Sequence, residues 1–206
     1  MIHMPSWERY RAQTRHITTQ YVERPVARLL GRIGVTPNQI SVMGLLASGA
    51  TAYLLAVGQF LAGGVLLLLA GVLDMADGAV ARLRGKASPV GALLDSTADR
   101  VAEAAVFLGL LVFYISPLSV LEVLLIFLAL VGSFMVSYLR ARGEGLGVDC
   151  KVGIMTRPER VLVMAVGLLI DQATIALGVI AALSFLTALH RFWHIQRELS
   201  KQQVEG

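Results

Sequence analysis

Apolar residues run along this chain in long blocks separated by short polar breaks, a pattern that predicts membrane helices. A fully apolar crossing needs about 20 residues. Blocks of that order occupy 38–60, 61–82, 91–114, 118–142 and 172–193, and a shorter one runs over 158–170. Thr36-Pro37-Asn38 opens the first block as a helix start. Ser116-Pro117 separates the third from the fourth, and Gly143-Glu144-Gly145-Leu146-Gly147 follows the fourth. The expected fold is all-α, a polytopic membrane protein with six transmembrane helices. The stretch 1–36 is mixed and basic, and reads as an amphipathic juxtamembrane helix at the membrane surface. No cleavable leader is expected, and there is no internal repeat. A length of 206 residues suits a single domain, 1–206.

Composition strengthens this picture. Only 16% of residues are charged, against about 25% in a soluble domain, and mean hydropathy is +0.69. Charge then orients the helices. The turns near 57–62, 114–119 and 170–174 hold no Lys or Arg, so all 18 lie on the other side of the membrane or at its edge. Lys and Arg collect on the cytoplasmic side, which places both termini and the loops after the second and fourth blocks there. The net charge of +4 is then a matter of topology and anionic headgroups. No nucleic-acid motif accompanies it. The lone Cys150 excludes an internal disulfide and a cysteine zinc site.

Candidate chemistry enters with the acids. Asp74 and Asp77 are three apart near the end of the second block, and Asp95 and Asp99 are four apart near the start of the third. Such spacings share a helix face, and a short loop makes the two helices antiparallel neighbours. Four carboxylates at membrane depth are costly and need compensation. A pair of divalent cations supplies it, and an oxygen-only donor set favours Mg²⁺, with Mn²⁺ as the alternative. Salt bridges to Arg82, Arg84 and Arg100, or an ion or proton pathway, are competing readings of the same carboxylates. Glu103 reads as a partner of Arg100. His190 and His194 lack a third metal ligand nearby and read as interfacial packing. Trp7, Phe192 and Trp193 read as interface anchors. Gly44, Gly49, Gly63 and Gly64 suggest close helix packing and a homodimer face.

The window Asp74-x-x-Asp77-Gly78-x-x-Ala81-Arg82, eight residues, Gly91, three residues, Asp95, three residues, Asp99 is more specific than charge alone. It resembles the signature of the CDP-alcohol phosphatidyltransferases, DxxDGxxARx₈GxxxDxxxD, with every fixed position present over 74–99. The six-span layout with its amphipathic lead fits that family along nearly the whole chain. The resemblance implies a reaction in which an acceptor hydroxyl attacks the phosphorus of a CDP-linked lipid and CMP leaves. It implies that Asp74 and Asp95 contact both of two metals, that Asp77 serves mainly the first, and that Asp99 serves the second and acts as general base. It points to Asn38, Gln39, Ile40, Ser41, Gly78, Arg82 and Ser88 as CDP-lipid contacts. For some of these a helix cap or a turn is the competing reading.

The acceptor is read from segments beyond the signature. Val136-Ser137-Tyr138-Leu139-Arg140-Ala141-Arg142, Thr156-Arg157-Pro158-Glu159-Arg160 and His190-Arg191-Phe192-Trp193 each place arginine at a cytoplasmic helix end. This is similar to the inositol-phosphate-using branch of the family, bacterial or archaeal. The similarity implies Arg140, Arg157 and Arg191 as ligands of an acceptor phosphate, inositol 1-phosphate being favoured. A snorkelling, topological role is the alternative for each. Glycerol 3-phosphate is the runner-up acceptor, and an ion or proton transporter is the rival of a different class.

Overall fold

A computed structural model describes residues 37–83 and 89–205. The expected amphipathic helix 1–36 and Ser88 lie outside them. Every regular element among the described residues is helical. In chain order these are α1 Pro37–Ala56, α2 Phe60–Leu83, α3 Pro89–Ile115, α4 Val120–Gly145, α5 Arg157–Leu169 and α6 Ala173–Glu205. Two of them, Val120–Gly145 and Ala173–Gln203, are long and apolar enough to cross a membrane, and Val42–Ala56 and Phe60–Asp74 are shorter apolar stretches.

The helix ends follow local chemistry. Gly58 ends the α1–α2 turn at φ 77°, a left-handed conformation that glycine adopts without steric cost. A Cβ there would lie 2.9 Å from Phe113 Cε2. This turn stops α1 at Ala56, four residues before the end expected from hydropathy. Pro117 cannot continue α3, and the chain turns at Leu118 (φ 53°). Thr156 precedes α5 and its backbone N–H donates to Glu159 Oε2 at 3.0 Å. Glu159 is the third residue of α5, and Pro158 fills the first turn, so Thr-Arg-Pro-Glu is a capping box with a built-in start.

The chain forms two compact units. The described part of the first comprises 37–47, 69–83 and 89–101, and the second is Ser48–Leu68 with Ala102–Glu205. The second unit contains the apolar core, in which Leu55, Leu110, Leu177 and Ile180 are fully buried and Leu168 nearly so. Its helices approach closely where side chains are small. A Cβ at Gly109 would fall 2.3 Å from the Ala52 carbonyl oxygen, so any larger residue forces α3 off α1. Gly63 and Gly64 also sit at tight contacts, against Leu55 and Leu168, whereas a Cβ at Gly44 or Gly49 would meet nothing within 4 Å. Along α4, Leu121, Leu124, Phe127 and Leu128 are exposed. Only 28% of its apolar window is buried inside the protein. A core helix of a water-soluble protein would be mostly covered, so this face suits lipid.

α6 is the largest departure from the hydropathy pattern. The apolar block ends near Trp193, but the helix continues to Glu205. Its polar last third is held by one face: Ile195 and Leu199 pack with Val148, Cys150, Val152 and Leu139. The loop between α4 and α5 is thereby pinned to α6. Met155 N–H donates to Thr187 Oγ1 at 3.1 Å, and His194 Nε2 lies 3.2 Å from the Asp149 carbonyl oxygen. Cys150 is completely buried in this small cluster. Burial pushes its thiol above the ordinary range, against the opposing pull of Arg191 and Arg140. The thiolate is the nucleophile. Maleimide labelling of the native protein should therefore run on the order of 100-fold slower than of the unfolded chain. Equal rates would show that the loop is not packed as described.

Candidate active site

The acidic cluster lies within the first unit. Asp74 comes from α2, and Asp95 and Asp99 come from one face of α3. Each offers a carboxylate oxygen, and the three atoms lie within 4.8 Å of one another. All three residues are half-buried. Ser96 and Thr97 return their hydroxyls to the Leu93 carbonyl oxygen at 3.0 and 2.8 Å. Two like charges at such a distance repel by about 3 kcal/mol at an effective dielectric near 20. Three carboxylates held together therefore call for a countercharge. The donor set is all oxygen and suits a hard divalent cation, so Asp74, Asp95 and Asp99 fit the expected metal. Asp77, Gly78 and Arg82 follow on the backbone of α2, with side chains outside the described residues.

Arg100 donates to the Ser96 carbonyl oxygen one turn back. Glu103, expected from sequence to pair with Arg100, pairs instead with Arg160 of α5. The reason is direction. Glu103 follows Arg100 by three residues, but its carboxylate is 9% exposed and points into the helix packing of the second unit, where Arg160 is 2% exposed. A signal for this pairing was present in the sequence. Arg160 heads an apolar run, Val161-Leu162-Val163-Met164, and an arginine buried there needs an acid.

The other expected site residues are distributed as follows. Asn38, Gln39, Ile40 and Ser41 occupy the first turns of α1; Gln39 is exposed, and the side chains of the other three lie outside the described residues. Arg140 is exposed near the end of α4 and pairs with Glu144, Nε to Oε1, at 2.9 Å. Arg157 is the first residue of α5 and half-buried. Arg191 is 2% exposed. Its Nε donates to the Val152 carbonyl oxygen at 2.9 Å and its Nη1 to that of Val136 at 2.6 Å. Arg191 therefore ties the α4–α5 loop and the end of α4 to α6, a job that the sequence did not announce.

Comparison with known proteins gives the cluster its context. Residues 34–190 match the family model described as CDP-alcohol phosphatidyltransferase. The archaetidylinositol phosphate synthase of Pyrococcus horikoshii is 33% identical over 182 residues, covering 86% of this chain and 94% of its own. The crystal structure of Mycobacterium tuberculosis phosphatidylinositol phosphate synthase with CDP-DAG bound superposes with a TM-score of 0.75 at 33% identity, covering 84% of this chain and 93% of that one. The same protein in complex with manganese and citrate gives 0.74 at 33% identity, covering 84% and 88%. The match spans well over half of the chain and contains the aspartates. The chain is thereby a transferase, and the transport reading falls away. The protein is a member of the CDP-alcohol phosphatidyltransferase family.

Proposed function

We propose that this protein transfers a phosphatidyl or archaetidyl group from a CDP-linked lipid to inositol 1-phosphate, releasing CMP. The observation that carries the reading is the convergence of Asp74, Asp95 and Asp99 within 4.8 Å. The two relatives described above are named as synthases of inositol phosphate lipids, which supports the acceptor. Asp74, Asp77, Asp95 and Asp99 would hold two divalent ions, Mg²⁺ or Mn²⁺, whose charge offsets that of the diphosphate. Asp99 accepts the proton of the acceptor hydroxyl as its oxygen bonds to the lipid-bearing phosphorus and the bond to CMP breaks. Asn38, Gln39, Ile40, Ser41, Gly78, Arg82 and Ser88 bind the CDP-lipid. Glycine at 78 lets the nucleotide approach the helix closely. Arg140, Arg157 and Arg191 bind the acceptor phosphate, for which guanidinium forks are suited.

The same proposal includes the membrane arrangement. All six helices cross the bilayer as one domain, residues 1–36 lie on its cytoplasmic surface, and both termini and the active site face the cytoplasm. A homodimer is expected. Gly44 and Gly49 on α1, where an added Cβ would meet nothing within 4 Å, leave room for a second chain to approach.

The test is CMP release from CDP-diacylglycerol with Mg²⁺ and a panel of acceptors. Release with inositol 1-phosphate supports the reading; release with glycerol 3-phosphate alone would make the protein a phosphatidylglycerophosphate synthase. In the same assay Arg157→Ala should raise the KM for inositol 1-phosphate by about 10- to 100-fold and leave the CDP-lipid KM within about twofold, as loss of a charged phosphate contact implies. An unchanged acceptor KM would return Arg157 to a topological role.

A further inference from the structure

A buried charge pair joins two helices of the second unit. Glu103 Oε1 accepts from Arg160 Nε at 2.6 Å, and Oε2 accepts from Nη2 at 2.8 Å. The third arm of the same guanidinium, Nη1, donates to the Met155 carbonyl oxygen at 3.2 Å. One side chain thus ties α3, α5 and the loop leading into α5. Leu67, Val106, Phe107, Val161 and Met164 surround the pair and offer no substitute partner.

Stability alone does not account for such an arrangement. Apolar residues of similar volume often replace a buried ion pair with no loss, whereas a bidentate fork fixes angle and register. The register matters because of what flanks the pair. Arg160 follows Arg157 by one helical turn, and Glu103 follows Asp99 by one turn along α3. The Thr156–Glu159 capping box sets the first turn of α5 from within. The Glu103–Arg160 fork sets it from across the interface.

We infer that Glu103 and Arg160 are positioning residues that hold Arg157 in register for the acceptor phosphate. This rests on the reading of Arg157 as an acceptor ligand. The pair touches no reacting atom in this scheme and acts through Arg157 alone. Its loss should therefore appear as weaker use of the acceptor, not as general damage.

The experiment is steady-state kinetics on the full-length protein with CDP-diacylglycerol and inositol 1-phosphate. The variants are Glu103→Gln, Glu103→Asp, Arg160→Lys, Arg157→Ala and the double variant Glu103→Gln/Arg157→Ala. Leu168→Ala, a cavity in α5 away from the pair, controls for destabilisation. Glu103→Gln and Arg160→Lys should each raise the acceptor KM about tenfold, with the CDP-lipid KM within about twofold. Glu103→Asp should recover part of the loss. The double variant should be no worse than Arg157→Ala, because both changes remove one function. Leu168→Ala should lower the melting temperature and leave the acceptor KM within about twofold. Where Glu103→Gln does not fold, Arg160→Lys decides, since it keeps the charge and loses the fork. If Arg157→Ala raises the acceptor KM while Arg160→Lys and Glu103→Gln do not, the inference is overturned and the proposed function stands. Additive losses in the double variant overturn it too. An unchanged acceptor KM in Arg157→Ala removes the acceptor role of Arg157, and the inference with it.

Discussion

Asp99→Asn should reduce CMP release by about 10²- to 10⁴-fold, the range a positioned general base supplies, while CDP-lipid binding stays within about tenfold. Asparagine keeps the size of the side chain and one oxygen. It cannot take a proton. Asp99 shares its site with Asp74 and Asp95, each within 4.8 Å, so the substitution also removes one negative charge of the cluster. The two effects separate in the assay. Loss of the base lowers kcat at saturating metal and substrate. Loss of a ligand raises the metal concentration needed for half-maximal rate, and excess metal restores turnover. A variant with near-normal kcat would sink the base assignment.

Removal of divalent cation should have an effect of similar size. Chelation is expected to bring CMP release to background, and Mg²⁺ or Mn²⁺ to restore it. The wild-type protein should also melt higher with the metal present. A ligand at about 100 times its dissociation constant stabilises by about 2.7 kcal/mol, which is several degrees for a chain of this size. Asp95→Asn should lose most of that thermal shift along with activity, because Asp95 supplies one of the three converging oxygens. The melting shift is a readout independent of turnover. An equal shift in wild type and Asp95→Asn would place the bound ion elsewhere.

Much of this architecture was legible in the sequence because helix periodicity, proline and glycine act locally. The starts of α1 and α5 followed from Thr-Pro-Asn and Thr-Arg-Pro, and the break at Ser116-Pro117 lies between α3 and α4. The α1 end was displaced because Gly58 turns the chain before the apolar stretch runs out. The polar extension of α6 was missed for the converse reason. Hydropathy marks what lipid covers, and this part is covered by a loop through Ile195 and Leu199.

The site divides in the same way. The aspartates were legible because i, i+3 and i, i+4 spacing is a property of one helix, and two such pairs flank a short loop. Glu103 was misread, and the anchoring contacts of Arg191 were missed, because their partners lie far away in sequence. Arg191 is an arginine at a helix end, and among its contacts are the carbonyl oxygens of Val136 and Val152. Glu103 had a cation three residues away and bonds instead to one 57 residues away. Packing sets which buried charges pair over long range; the local pattern showed only that Arg160, heading an apolar run, needed an acid, not which one.

The pinning of the α4–α5 loop has a consequence for synthesis of the chain. Its contacts come late: Met155 waits for Thr187, and the carbonyls of Val136 and Val152 wait for Arg191. Helix formation in α4 and α5 needs only their own residues, but the lead into α5 cannot take its final form before α6 leaves the ribosome. The proposed acceptor end is therefore finished only once α6 is in place. Until then the nascent chain carries its aspartates while the loop that leads to Arg157 lacks its anchors on α6.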